Sequence, residues 1–89
     1  MKVEYDKSFE KSLDKVKIQS LYNRIEKVIL EFEEVTSISQ MRNISKLSGY
    51  KKYYRVRIGD YRLGIELINK DTILFIIIGH RKDFYRYFP

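Results

Sequence analysis

The chain contains no cysteine, one histidine, one proline and no long apolar run. Without cysteine there is neither a disulfide framework nor a thiolate metal site. A single histidine, His80, excludes a His-rich metal cage within one chain. The scarcity of proline and the four glycines, set against 44% hydrophobic residues, describe a globular chain rather than a disordered one. The longest apolar run, Ile73 to Ile78, is too short to cross a bilayer. The charged, alternating start MKVEYDKSFEK is unlike a signal peptide, so a soluble cytoplasmic protein without a membrane partner is expected. At 89 residues, one domain spanning residues 1–89 is expected, with a single modest core.

What is abundant is positive charge, unevenly placed. Residues 1–45 carry eight Lys/Arg and eight Asp/Glu, whereas residues 46–89 carry ten and four, so the whole net charge of +6 lies in the second half. That asymmetry points to an anionic partner, nucleic acid first and an acidic protein segment second. The alternative is a solvated basic surface that only aids solubility.

Lys2-Val3-Glu4-Tyr5 alternates as a short half-buried strand does. Asp6 stands at an N-cap position, and Phe9, Leu13 and Val16 recur at helical spacing after it. Ile18, Leu21, Ile25, Val28, Ile29 and Phe32 form the apolar stripe of a second helix. Periodicity then fades from Glu33 to Gly49, where serines and asparagines favour loops; Ile38, Met41, Ile44 and Leu47 could pin this segment to the core. Tyr53–Ile58 and Tyr61–Ile68 read as strands around a two-residue Gly59-Asp60 loop, which suits a type II′ turn. That loop predicts the pairs Ile58–Tyr61, Arg57–Arg62, Val56–Leu63 and Arg55–Gly64. One hairpin face is then apolar, and the other carries Tyr53, Arg55, Arg57, Arg62, Gly64 and Glu66. Ile73–Ile78, apolar on both faces, suits an interior strand. A short helical turn near Asp83 follows. The expected fold is α+β: an N-terminal strand, a two-helix hairpin, a three-stranded antiparallel meander in one sheet with helices on one face, and a short C-terminal helical turn.

Two arginines facing each other across strands repel, which weakens a sheet unless an anion sits between them. Guanidinium groups suit phosphate because the planar fork binds it bidentately and keeps its charge. Gly64, opposite Arg55, leaves room for backbone or ligand to approach. Tyrosines among the cations, namely Tyr53, Tyr85 and Tyr87, suit unstacked RNA bases. His80 and Glu66 are candidate general bases, with an incidental surface histidine and a counter-ion as the plainer readings.

KLSGYKKYYRVRIGDYRLGIEL followed by LFIIIGHRKDFYRYF closely resembles the second half of RelE/ParE-superfamily toxins of type II toxin–antitoxin pairs, and the preceding strand and helix pair agree in order and size. The resemblance implies, for the RelE branch, a ribosome-dependent mRNA endoribonuclease. Its chemistry is metal-independent attack of the substrate 2′-OH on the scissile phosphate, without a cofactor. It places Arg62 and Arg81 on the family's catalytic arginines, and Tyr85, or Tyr87 under an ungapped alignment, on its C-terminal tyrosine. Arg55 and Arg57 fall where bacterial RelE-type enzymes often carry lysine, which leaves the base unassigned because arginine does not give up its proton. RNA contacts are expected from Lys52, Tyr53, Arg55, Arg57, Lys82 and Tyr87. The implied partners are a RelB-like antitoxin, the ribosome and mRNA. The alternative branch is a ParE-like poison of DNA gyrase without nuclease chemistry; a third reading is a non-toxic RNA-binding module, or a decayed toxin that only retains antitoxin binding.

Overall fold

The computed structural model describes residues 1–89. The chain runs β1 (Lys2–Tyr5), α1 (Lys7–Val16), α2 (Gln19–Glu34), a 3₁₀ turn (Ile38–Gln40), β2 (Ile44–Lys46), β3 (Tyr53–Ile58), β4 (Tyr61–Asn69), β5 (Thr72–His80) and a second 3₁₀ turn (Phe84–Arg86). The strands form one five-stranded sheet in the order β1-β5-β4-β3-β2. The β3-β4-β5 meander is antiparallel, and β1 adds to β5 in parallel.

The hairpin has the register that a two-residue loop dictates: Ile58 faces Tyr61, Arg57 faces Arg62, Val56 faces Leu63 and Arg55 faces Gly64. Gly59 takes φ +60 at the first central position, as a type II′ turn requires. α1 starts where Asp6 accepts a hydrogen bond from the Ser8 backbone N–H at 3.0 Å. Phe9 from α1 and Leu21, Ile25 and Phe32 from α2 are buried against Val56, Ile58, Leu63, Ile65, Ile73, Phe75 and Ile78 of the sheet. Both helices thus cover one sheet face, joined through edge-to-face contacts of Phe75 with Phe9 (5.4 Å) and Phe32 (5.8 Å).

Three features depart from the sequence-based expectation. The segment expected as loop between Glu33 and Gly49 contributes β2, which pairs antiparallel with β3 through Ile44–Val56, Ser45–Arg55 and Lys46–Tyr54. At three residues the strand is too short to carry a legible alternation. Secondly, β5 is bulged: Ile65 faces Phe75 while Gly64 faces Ile77, so Ile76 is the extra residue. The bulge shifts parity, and the core-facing series on β5 becomes Ile73, Phe75 and Ile78.

Thirdly, the space over Gly64 is taken by the chain itself. A Cβ on Gly64 would lie 2.7 Å from the Phe88 ring. Phe84 and Phe88 are buried, with ring centroids 5.3 Å apart, and Phe88 meets Tyr53 edge-on at 5.5 Å. The expected opening for a ligand at Gly64 is therefore the seat of the C-terminal segment, because the central strands carry apolar residues on this face too and the tail covers them.

Candidate functional site

On the sheet face away from the helices, strand parity places Arg55 and Arg57 of β3 beside Arg62 of β4. A cleft of about 380 Å³ opens there, lined by Asn43, Ile44, Ser45, Arg55, Arg57, Arg62 and Tyr85. β2 forms one wall, with Ser45 directly opposite Arg55. The C-terminal 3₁₀ turn forms another by bringing up Tyr85, whose hydroxyl oxygen accepts a hydrogen bond from Arg55 Nη1. The Arg55 guanidinium carbon also stands 5.6 Å from the centre of the Tyr85 ring, within cation–π range.

Each remaining arginine of the cleft is held by neutral oxygens. Arg62 Nη1 donates to the carbonyls of Gly59 and Tyr61, both at 2.9 Å, which leaves its Nε and Nη2 for a ligand. Arg57 Nη2 reaches Asn43 Oδ1 at 3.4 Å. The ion pairs of the molecule are Lys2–Glu4 and Asp83–Arg86, both on the surface and neither in the cleft. Three guanidinium groups thus converge without a carboxylate to neutralise them. Such an arrangement stores electrostatic repulsion that a bound anion relieves, and its planar forks favour phosphate geometry.

Other expected site residues lie outside this cleft. Arg81 is exposed beside the hairpin turn, where its backbone N–H donates to the Asp60 carbonyl at 2.8 Å; its side chain does not line the cleft. Glu66 shares the face, opposite Tyr53 and Leu74, and pairs with no arginine. Tyr53 is half-buried in an aromatic group with Tyr50 (5.6 Å) and Phe88 (5.5 Å). Lys52 and Lys82 are exposed outside the cleft lining.

His80 lies on the helix side of the sheet, and Tyr87 at the edge of β5 beyond the part that β1 pairs. His80 pairs with Tyr61, their rings meeting edge-on at 5.4 Å. Both line a separate cavity of about 510 Å³ against α1, which Tyr87 also borders. The bulge at Ile76 is the reason: it sends His80 out on the same side as Ile78, away from Arg62. His80 Nδ1 accepts from the Lys82 backbone N–H at 3.2 Å and is committed to the turn. The alternative between Tyr85 and Tyr87 thus has a geometric answer at the cleft, where Tyr85 alone of the two is present.

Sequence reasoning missed Asn43 and Ser45. Both fall in the segment without periodicity, and only the pairing of β2 with β3 brings them to the arginines. The available signal was Asn43 itself, because asparagine is enriched at the left-handed φ it adopts here, +57°.

A five-stranded sheet with a helix pair on one face and a carboxylate-free arginine cleft on the other defines a small toxin-type domain of the RelE/ParE superfamily. Residues 3–85 match the family described as ParE toxin of type II toxin–antitoxin system, parDE, and the chain belongs to that family. It is 43% identical to Toxin RelE3 of Methanocaldococcus jannaschii over 90 positions, covering 100% of both chains. Among solved structures it is similar to the RelB-RelE antitoxin-toxin complex from Methanococcus jannaschii, at 41% identity and a TM-score of 0.80, covering 97% of this chain and 99% of that one. The archaeal RelE-RelB complex from Pyrococcus horikoshii OT3 shares the fold, at 24% identity and a TM-score of 0.71 over 90% of this chain and 93% of that one. The protein is a RelE-like toxin of a type II toxin–antitoxin system.

Proposed function

We propose that this toxin is a ribosome-dependent mRNA endoribonuclease whose scissile phosphate sits among Arg55, Arg57 and Arg62. The observation that carries the reading is the convergence of unneutralised guanidinium groups with Tyr85 in one cleft. In this mechanism the substrate 2′-oxygen forms a bond to phosphorus while the bond from phosphorus to the 5′-oxygen breaks. The products are a 2′,3′-cyclic phosphate and a 5′-OH. Extra negative charge builds on the non-bridging oxygens, where fixed cationic donors act most strongly. Arg62 and Arg57 take that charge.

Arginine keeps its proton, so of the groups lining the cleft the Tyr85 phenol is suited to pass one. Arg55 donates to the Tyr85 oxygen, which leaves the phenolic hydrogen free to point at substrate. Tyr85 delivers it to the departing 5′-oxygen and recovers a proton from solvent, while the 2′-OH proton leaves to water. No step calls on His80 or Glu66. A RelB-like antitoxin is the partner, as both solved relatives are antitoxin–toxin complexes. A cytoplasmic location follows from the ribosomal substrate.

The match to the ParE toxin family supports a second reading, a DNA gyrase poison that uses the same basic face without cleaving RNA. Induction in cells with mapping of mRNA 5′ ends, run beside a gyrase supercoiling assay, separates the two. Cleavage within translated codons that is lost in Arg62→Ala supports the nuclease. Intact mRNA with gyrase-trapped, broken DNA overturns it.

A further inference from the structure

Arg57 stands between two cavities. One is the arginine cleft; the other, about 520 Å³, lies beside the C-terminal half of α2 and is lined by Glu31, Glu34, Gln40 and Asn43 among others. Arg57 and Asn43 border both. The carboxylates of Glu31 and Glu34 share the second cavity with Arg57, yet neither forms an ion pair with it. Glu31 and Glu34 attract both Arg57 and Arg42, which also lines this cavity, since opposite charges attract over several ångströms even at high effective dielectric. A contact on the cleft side holds Arg57 against that attraction.

Asn43 supplies that contact twice. Its backbone carbonyl accepts from the Arg57 backbone N–H at 2.8 Å, which fixes the Arg57 Cα next to the loop. Its side-chain Oδ1 accepts from Arg57 Nη2 at 3.4 Å. Asn43 presents both oxygens to the same arginine from a left-handed backbone (φ +57°). The amide is also neutral, and it orients Arg57 without removing the charge. Aspartate, which tolerates the same backbone, would hold the arginine and quench it.

We infer that Asn43 is a positioning residue that keeps the Arg57 guanidinium in the phosphate cleft and out of reach of Glu31 and Glu34 on α2. The inference rests on the cleft being the RNA site, and its test separates the two. Binding of a 2′-O-methyl single-stranded RNA, which cannot be cleaved, is measured against salt concentration. Single-turnover cleavage on programmed ribosomes is measured in parallel. Arg57→Gln removes one phosphate contact and lowers the magnitude of the slope of log K against log salt by about 0.7.

Asn43→Gly keeps the left-handed backbone, since glycine adopts it freely, and removes only the amide. Its expected behaviour is that of Arg57→Gln, in slope and in cleavage rate, with the thermal midpoint near wild type. Asn43→Asp matches that loss. The decisive variant combines Asn43→Gly with Glu31→Gln and Glu34→Gln: with no carboxylate to capture Arg57, both slope and rate recover toward wild type. A merely structural role for Asn43 gives no such recovery. An Asn43→Gly protein that equals wild type while Arg57→Gln is weakened overturns the positioning role and leaves the cleft assignment standing. If Arg57→Gln and Arg62→Gln also bind like wild type, the cleft assignment itself falls. Absence of recovery in the triple variant overturns the competition with α2.

Discussion

Arg62 illustrates how little of a guanidinium needs to be engaged to aim it. Its Nη1 is bound to the carbonyls of the turn it follows, and the residue lines the cleft with its other donors unengaged. Arg62→Ala therefore removes a fixed transition-state donor, and the single-turnover cleavage rate should fall by about 10²–10³-fold with the fold intact. Tyr85 and His80 make a matched pair of tests, since one is in the cleft and the other is on the far side of the sheet. Tyr85→Phe should slow cleavage by about 10²–10⁴-fold, the usual contribution of a positioned acid. His80→Gln should leave the rate unchanged. A rate lost in His80→Gln and kept in Tyr85→Phe would reverse the assignment of the proton donor.

Among elements, the C-terminal segment has the largest role relative to its length. Phe84 and Phe88 close the apolar part of the outer sheet face and, in doing so, deliver Tyr85 to Arg55. Phe88→Ala should cost about 3–5 kcal/mol in a urea melt, as buried phenylalanine truncations do, and should depress cleavage by releasing Tyr85. Gly64 reports on the same packing from below. Any side chain there meets the Phe88 ring, so Gly64→Val should reproduce the loss of cleavage without touching a cleft residue. The start of α1 gives a pH dependence. Hydrogen bonds from the Ser8 hydroxyl and backbone N–H hold the Asp6 carboxyl below its usual range. A carboxyl depressed on folding stabilises the protein above its unfolded-state pKa, near 3.9, and that contribution is lost as pH falls through the folded value. Acid unfolding followed by circular dichroism should be shallower in Asp6→Asn below about pH 4, because the substituted side chain has no proton to gain.

For the molecule as a whole, stability and binding should answer to salt differently. The core is apolar and the ion pairs are both exposed, so the thermal midpoint should move little between low and moderate salt. RNA affinity should fall steeply over the same range, because contacts to phosphate release counterions in proportion to their number. A binding constant insensitive to salt would show that the positive charge of residues 46–89 serves solubility rather than an anionic partner.

How much was legible beforehand divides along the same physical line. Local rules were enough for the hairpin: a glycine that tolerates positive φ and a two-residue loop fix the register. Side-chain alternation then sends Arg55, Arg57 and Arg62 to one face and Val56, Ile58, Leu63 and Ile65 to the other. Helix spacing identified Phe9, Leu21, Ile25 and Phe32 as core for the same reason. What depended on contacts between distant segments was not readable. The bulge at Ile76 lies in β5, which pairs with β4 on one side and β1 on the other; it shifts the parity of β5 and sets His80 on the side of Ile78. The cover over Gly64 depends on a tail that folds back more than twenty residues later in the chain. β2 depends on an edge for which three residues carry no pattern.

The sequence by itself determined where the charge and the core lie, because periodicity and turn chemistry act between near neighbours. Only the tertiary structure decided which residues share the arginine cleft. Asn43 and Tyr85 join it, and His80 and Tyr87 leave it, through packing that no single segment encodes.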